Sequence, residues 1–477
     1  MLNLKNLSKY RENNRIEAKK AQGGLPISLW ETYSAFANTL GGVILLGVEE
    51  LKDKKLNAVD LENPQKLVDE FWKIVNDKEK VSANILSDQN VWIEKVDDKQ
   101  IVVIEVPRAR REEKPIFIGT NAMSGTYRRN GEGDYHCSKE EISSMQRDAK
   151  FKSLDLTLLE NLSLDAIDFN SLKRFRQKIT QSHKNLKFSA LTENEFLQQI
   201  GGANFSLDSA LHPTIAGLLM FGKYNHIIKF FPNFNLSYVE KLSTDDNLIT
   251  MQITSTDKGY ANLFEFYFAV CERITKNEKL AIKNFNNQED CPVFEALREG
   301  LANCLINADY FGNNGIEIIK TKDGITFTNP GSFRVNVNEA KNGGVSDPRN
   351  STLISIFNLI SVGKRAGSGI PKIFKAWKKQ GWKNPEIIEN FSLNTTSLIL
   401  STKQGASAFE EKYQDKQYEE IIIDYLTEIV YAQSEEIAKV LSLNIEKTNL
   451  LIDQLVLEDV LSMEKNENKV YYKLKIK

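Results

Sequence analysis

A chain of 477 residues is too long for one ordinary core, and at roughly 150 residues per domain it holds about three. Its 41% hydrophobic and 26% charged residues are those of a globular protein and exclude a disordered one. The net charge of −2 excludes a global pull toward nucleic acid or membrane, so any such binding must rest on local patches.

Residues 1–20 read as a basic helix, with six Lys or Arg against Glu12 and Glu17. This stretch has no apolar centre of the signal-peptide kind. A second helix is predicted over Leu29 to Asn38, stopped by Gly41-Gly42, and a short buried strand over Val43 to Val48. The longest apolar run, Ala35 to Val48, falls short of the ~20 residues of a membrane span, so no membrane association and a cytoplasmic location are expected. Strands follow over Asn90–Val96 and Ile101–Val106, then the basic run Arg108-Ala-Arg-Arg111. Tyr127 to Gly131 reads as a strand entering a turn, and Ser138 opens a helix with a capping-box pattern. These elements make a first α/β unit over residues 1–150.

Residues 151–285 are mixed, with helices over Leu164–Ile179, Thr192–Ile200, Ala216–Gly222 and Ala261–Thr275 and strands over Phe234–Glu240 and Leu248–Thr254. A third unit, 286–403, has a helix over Val293–Ala308, strands over Ile316–Thr321 and Gly324–Thr328, and a glycine-bearing segment from Gly343 to Gly369. Residues 404–415 are polar and read as a linker. The last unit, 416–477, runs helix, helix, helix, hairpin, which is the winged helix-turn-helix order. The fold class expected is therefore a multidomain α/β (α+β) protein. Cys137, Cys271, Cys291 and Cys304 are far apart with no Cys-x-x-Cys, so free structural thiols are expected.

Glu12 and Glu17 lie five residues apart, ~140° out of line on a helix. They converge only if the helix ends between them or if Ile16-Glu17-Ala18 is extended. Glu49-Glu50 ends the buried strand. Three carboxylates from separate elements suit a hard divalent cation that orients water on a phosphodiester, with Lys19 and Lys20 beside them to neutralise phosphate. The bland alternative is a solvated charged helix plus two strand-end glutamates.

The pattern Glu12-x4-Glu17-Ala-Lys19, Ala35-Phe-Ala-Asn-Thr-Leu-Gly-Gly42 and Gly47-Val-Glu-Glu50 resembles the Schlafen/AlbA-like family. That family reads Glu-x4-Glu-Phe-Lys, Ala-Phe-Ala-Asn-Thr-x-Gly-Gly and Gly-Val-x-Asp. Tyr127-Arg-Arg-Asn-Gly131 is similar to its later Tyr-x-Arg-x-Gly strand, and the likeness spans roughly residues 5–145. It implies a metal-dependent RNA-cutting centre of Glu12, Glu17 and Glu50 with Lys19, Glu49 in reserve, and Mg²⁺ or Mn²⁺ as cofactor. Two positions depart from the pattern: Glu50 stands for Asp, and Ala18 for an aromatic. Arg11, Arg15, Lys20, Arg108, Arg110, Arg111, Arg128 and Arg129 suit phosphate tracking along RNA or DNA. Taken singly, each reads equally as solvated rim.

On the helix of the third unit, Glu299, Asn303 and Asn307 share one face at i, i+4 and i+8. Polar groups repeated on a buried-looking helix need partners, and a triphosphate with Mg²⁺ on Asn303 would supply them. Glu299 could orient a water. A solvated amphipathic helix is the alternative. The segment Glu299-x3-Asn303-x5-Asp309-Tyr310, then Asn329-Pro-Gly331, then Arg349-Asn-Ser…Gly367-Ser368-Gly369-Ile370 resembles the divergent GHKL-type ATPase domain often found behind Schlafen/AlbA-like domains. The likeness implies ATP as ligand, with Glu299, Asn303, Asn307, Asp309, Asn329, Gly331, Gly367, Ser368 and Gly369 around it. Asn307-Ala308 replaces His-Arg, Ser351 replaces a proline, and Lys364-Arg365 stands where an acid is usual. His212 reads as a local turn residue without chemistry.

Residues 411–477 hold nine Lys, no Arg and fourteen acids, a net of −5, so the winged helix is expected to contact protein and not duplex DNA. The expected function is an ATP-regulated, nucleic-acid-acting protein with a Schlafen-like nuclease site for RNA or single-stranded DNA, in an antiphage-defence setting by analogy. The alternative is a non-catalytic, ATP-responsive, DNA-binding transcriptional regulator. A homo-oligomer, with a dimer favoured, goes with either.

Overall fold

The computed structural model describes residues 7, 10–96, 98–182, 188, 190–243, 248–257, 259–275, 291–363, 367–404, 418–429, 431–441, 443, 445–457, 460–466 and 469–475. It is a mixed α/β chain of two compact units, one of residues 1–380 with 384–401 and one of 381–383 with 402–477. Among the described residues no helix is long and apolar enough to cross a membrane.

The first unit begins with β1 (Ile16–Lys19), α1 (Ser28–Asn38), β2 (Gly42–Leu46), the hairpin β3 (Val48–Glu50) and β4 (Leu56–Ala58), α2 (Pro64–Val75), β5 (Val91–Val96) and β6 (Lys99–Val106). The sheet order is β1-β2-β6-β5, with β1 parallel to β2. The basic helix expected over residues 1–20 is corrected here: residues 16–19 are a strand, and 1–6, 8 and 9 lie outside the described residues. Tertiary pairing overrides local composition, since the β1 edge is completed by β2 and Ile16 is buried. β2 and β6 are buried on both faces, which is why they read as unbroken apolar runs. Ile44, Leu46, Val102 and Ile104 pack on α1 and α2. Leu45, Ile101 and Val103 pack with Val48, Leu56 and Ala58 of the hairpin.

The motif Ala35 to Gly42 is architectural. Asn38 is buried; its amide donates to the carbonyls of Ile116 (2.7 Å) and Tyr127 (3.0 Å), and its Oδ1 accepts from the Ile116 N–H (2.9 Å). It staples the later chain to α1. A Cβ on Gly42 would strike the Phe36 ring at 2.7 Å. Beyond this come the short α3 (Ala122–Gly125), β7 (Tyr127–Asn130), β8 (Gly133–His136) and α4 (Lys139–Asp148), whose Ser138 and Glu141 form the capping box expected.

Next are α5 (Phe169–Ser182), α6 (Glu193–Gln199), β9 (Ala203–Phe205), β10 (Leu211–Pro213), α7 (Ile215–Phe221), α8 (Tyr224–Phe230), β11 (Leu236–Lys241), β12 (Met251–Thr254) and α9 (Leu263–Thr275). The imidazole Nδ1 of His212 lies 2.8 Å from the Leu162 carbonyl, a local contact. Then come α10 (Pro292–Ile306), β13 (Ile316–Thr321), β14 (Gly324–Pro330), α11 (Val337–Asn342), α12 (Ser351–Asn358), α13 (Gly369–Gln380), β15 (Glu386–Asn390) and β16 (Thr395–Ser401). A six-stranded sheet in the order β12-β11-β13-β14-β16-β15 runs through this part. β11 pairs in parallel with β13, so the sheet crosses the division drawn at 285/286 from the sequence. Gly300 of α10 faces Phe327 of β14 and Leu398 of β16, setting the helix close on the sheet. All four cysteines are buried free thiols.

The second unit has α14 (Tyr418–Ile429), β17 (Tyr431–Ala432), α15 (Ser434–Leu441), α16 (Ile445–Leu457), β18 (Leu461–Asn466) and β19 (Lys469–Leu474). The strands form a β17-β19-β18 sheet on a core that includes Ile422, Leu426, Ile437 and Ile452. Most of the linker expected at 404–415 lies outside the described residues.

Candidate functional site

Two polar constellations stand out. The first is built by β1, β3 and β7. Because β1 is extended, Glu17 and Glu12 escape the helical geometry that would separate them. The Glu12 carboxylate accepts from the Ala18 N–H at 2.9 Å, folding residue 12 back over the strand. Glu17 is buried, with Lys19 Nζ at 2.6 Å and Arg129 Nη2 at 2.8 Å. Arg129 has a side chain only 1% exposed; it also pairs with Asp134 at 2.9 Å and donates to the Asn13 carbonyl at 2.8 Å. Glu49 holds Lys20 at 2.6 Å, and Glu50 holds Lys54 at 3.2 Å, leaving its Oε1 buried without a partner. Burial raises the Glu12 carboxyl above its ordinary value against the Ala18 hydrogen bond, and the negative charges of Glu17 and Glu50 push it further up. The three acids therefore lie within one another's field.

Among the described residues, no group of three His, Cys, Asp or Glu is arranged to hold a metal ion. Both Glu17 oxygens already face cations, and Glu50 faces one. As placed, the three acids do not fit a shared divalent ion: Lys19, Arg129 and Lys54 supply to Glu17 and Glu50 the charge such an ion would bring, and Glu12 is turned onto the Ala18 N–H.

The second constellation is a cleft between α10, β14, β16, residues 345–349 and residues 367–370. Glu299, Asn303, Asn307, Asn329, Gly367 and Gly369 all line it. Asn307 closes α10, donating to the Asn303 carbonyl at 3.0 Å, and its Oδ1 accepts from the Arg349 N–H at 3.3 Å. Asn329 is buried on β14 and donates to the Pro330 carbonyl at 3.0 Å, with its Oδ1 unengaged by any hydrogen bond among the described residues. Glu299 accepts from the Gly363 N–H at 3.3 Å and lies against Gly369, where a Cβ would collide with its carboxylate. The Asn303 side chain makes no hydrogen bond to protein among the described residues. Gly367, at φ 62°, adopts the left-handed turn that enters α13.

Residues 12–138 match the family model described as Schlafen, AlbA_2. Residues 313–398 match Putative ATP-dependent DNA helicase recG C-terminal, and residues 143–237 match a domain of unknown function, DUF8451. The chain carries a Schlafen/AlbA domain with an ATPase-like domain behind it. A solved structure of the DIP2311 protein from Corynebacterium diphtheriae aligns over 97% of this chain and 95% of that one, at 13% identity and a TM-score of 0.43. The N-terminal domain of a putative ATP-dependent DNA helicase RecG-related protein from Nitrosomonas europaea is 29% identical over 29% of this chain and 96% of that one, with a TM-score of 0.23. No curated protein matches.

Several residues assigned from the sequence stand elsewhere. Four of the seven arginines expected to track phosphate on the Schlafen/AlbA domain are committed to protein, and Lys20 is held by Glu49. Arg108 forks onto Glu389 and donates to the Phe333 carbonyl. Arg111 pairs with Asp347 and donates to the Asp148 carbonyl, Arg128 pairs with Glu141 at 2.7 Å, and Arg129 is sealed on Glu17 and Asp134. For Arg108 and Arg111 the opposite charges come across from the ATPase-like domain, and for Arg128 and Arg129 they come from α4, β1 and β8. Arg110 is exposed, as are Arg11 and Arg15, which form no ion pair among the described residues.

In the ATPase-like domain Asp309 turns out of the cleft, to Arg147 at 2.8 Å and Ser144 at 3.1 Å. Gly331 leaves room for the Arg349 guanidinium, not for a ligand: a Cβ there would collide with it. Ser368 caps α13 through its carbonyl, which accepts from the Lys372 N–H at 3.2 Å, and its side chain is not among those lining the cleft. Lys364 and Arg365 lie outside the described residues.

The sequence reading missed the seam between the domains. Asp148, ending α4, receives Arg349 in a fork (2.9 and 2.6 Å) and Arg334 at 2.8 Å. Burial alone would raise Asp148; the Arg349 and Arg334 guanidiniums overturn that and hold it well below the usual carboxylate range. Arg349 also donates to the Asn307 and Ser332 carbonyls. The available signal was Arg349 itself, one residue before Asn350 in the glycine-bearing segment.

Proposed function

We propose that this chain is an ATP-binding protein that acts on nucleic acid through its Schlafen/AlbA domain, with nucleotide occupancy controlling how the two domains fit. The two matched domains indicate a nucleic-acid-related ATPase function. The observation that supports the nucleotide site best is the meeting of Glu299, Asn303, Asn329 and Gly369 from a helix, a strand and a helix start in one cleft, with the Asn303 amide making no hydrogen bond to protein among the described residues. An unpartnered amide oxygen beside a carboxylate fits a Mg²⁺ carried with ATP, which would neutralise phosphate charge there. Asn329 Oδ1 accepts from a base amino group, and the backbone around Gly367 and Gly369 allows close approach of phosphate.

Control follows from Arg349. It lines this cleft, bonds the α10 end at Asn307 and clamps Asp148 at the end of α4, the helix that follows the Schlafen/AlbA match and carries Glu141, the partner of Arg128. A ligand that moves the 346–350 segment must also disturb that clamp, which gives ATP differential contact with two states.

A metal-dependent nuclease acting on RNA or single-stranded DNA in antiphage defence is the finer reading of the acidic cluster. The way Lys19, Arg129 and Lys54 occupy Glu17 and Glu50 favours instead an ATP-responsive, non-catalytic regulator. The −5 C-terminal unit reads as a winged helix for a protein contact or a second copy of the chain in the cytoplasm. Purified chain incubated with tRNA, single-stranded DNA and duplex DNA plus Mg²⁺ or Mn²⁺ decides the matter. Binding that changes with ATP and leaves the strands intact supports the regulator. Metal-dependent cutting abolished by Glu17→Gln overturns it in favour of the nuclease. No binding to any strand, with or without ATP, overturns both.

A further inference from the structure

A cavity of about 310 Å³ opens at the seam of the two domains, beside the α10 cleft, with which it shares the wall formed by Arg334 and residues 346–349. Its charged lining is six cations against Asp148, Asp309 and Asp347. The four arginines are tied to those acids, yet the Lys150 and Lys152 ammonium groups have no ion pair among the described residues. Arg147, held to Asp309 through Nη2, leaves its Nε buried and without a partner. Between the two lysines stands Phe151, 94% exposed, and across the cavity Phe311 is 41% exposed with the Arg147 guanidinium 6.0 Å over its ring. A lone exposed phenylalanine needs no explanation. Two on one cavity, interleaved with unpaired cations and an orphaned buried donor, make a surface for a ligand that is both anionic and flat.

We infer that this seam cavity binds a nucleotide unit, a phosphate joined to a base, from a free mononucleotide or from a single strand. Lys150 and Lys152 take the phosphate, with the Arg147 edge behind them. Phe151 and Phe311 offer π-faces that stack any base without reading its identity. The strand as source rests on the nucleic-acid reading above; the mononucleotide does not.

The test uses the full chain, with labelled single-stranded oligonucleotides of DNA and RNA followed by anisotropy, and with labelled AMP on an Asn303→Ala background so that the α10 cleft contributes little. Phe151→Ala is expected to weaken the bound probe roughly tenfold, the scale of one missing base stack. Lys150→Glu with Lys152→Glu is expected to flatten the salt dependence by about 0.7 for each phosphate no longer neutralised. Weakening with the oligonucleotide assigns the strand, and weakening with AMP the free nucleotide. Oligonucleotide binding that neither variant moves, together with unchanged AMP binding, overturns the seam site while leaving the nucleic-acid reading intact. An unaltered chain that binds neither probe overturns both.

Discussion

The acidic cluster on β1 and the cleft along α10 are both lined by polar side chains that the sequence singles out, but they find partners differently. At the cluster three of the four carboxylates meet a cation of the protein, Glu17 with Lys19 and Arg129, Glu49 with Lys20 and Glu50 with Lys54, and the fourth, Glu12, accepts from the Ala18 N–H. In the cleft the amide of Asn303 and the Oδ1 of Asn329 are left without protein partners among the described residues. A site whose charges are satisfied internally gains little from a ligand that must first displace them. A site with unspent hydrogen-bonding capacity gains directly, because buried polar groups cost free energy until paired.

The comparison breaks most visibly where charge is deeply buried. Asp148→Ala strands Arg349 and Arg334, and Arg129→Met strands Glu17 and Asp134; each is expected to cost about 3–5 kcal/mol, read as a lowered unfolding midpoint. If Arg129→Met is silent, the cluster is not internally paired and the contrast fails. The Asp148 effect carries a pH signature. Its carboxyl is held below the ordinary range in the fold, so its contribution is full above about pH 4, the unfolded value, and drains away as the pH falls further toward the folded value. Asp148→Asn should show a shallower loss of stability over that acid range.

Next in size, Asn303→Ala should weaken ATP with Mg²⁺ by roughly tenfold or more, as removal of an oxygen ligand from a bound cation implies. Smaller still is the response of nucleic-acid affinity to surface arginines. Arg128→Ala, which removes a side chain already paired with Glu141, should leave the salt dependence of binding unchanged. Arg11→Ala with Arg15→Ala should flatten it by about 0.7 to 0.9 per phosphate left without its cation. The reverse ranking would restore the sequence reading of Arg128 as a phosphate-tracking cation. The finest effect is on Glu12: Glu50→Gln removes a neighbouring negative charge, so the Glu12 carboxyl should titrate lower, which carboxyl NMR can follow. An unmoved Glu12 would mean the two acids do not share a field.

Much of this was legible from local chemistry. The apolar runs of β2 and β6, the Ser138 capping box and the one-sided spacing of Glu299, Asn303 and Asn307 are short-range patterns, and they fold as read. Pairings between distant segments were not legible. β1 reads as basic helix until β2 is beside it, and Arg108 and Arg111 read as free until Glu389 and Asp347 arrive from the ATPase-like domain. Asp309 sits in the motif helix region yet turns to Arg147, because α4 packs there. No periodicity in one chain announces a partner 160 residues or more away.

Nucleotide control requires that the α10 cleft take nucleotide. Calorimetric titration of ATP with Mg²⁺ into the intact chain and into Asn303→Ala tests it directly. The prediction is saturable binding that is at least roughly tenfold weaker in the variant. Equal affinity in the two proteins, or no heat in either, would contradict it.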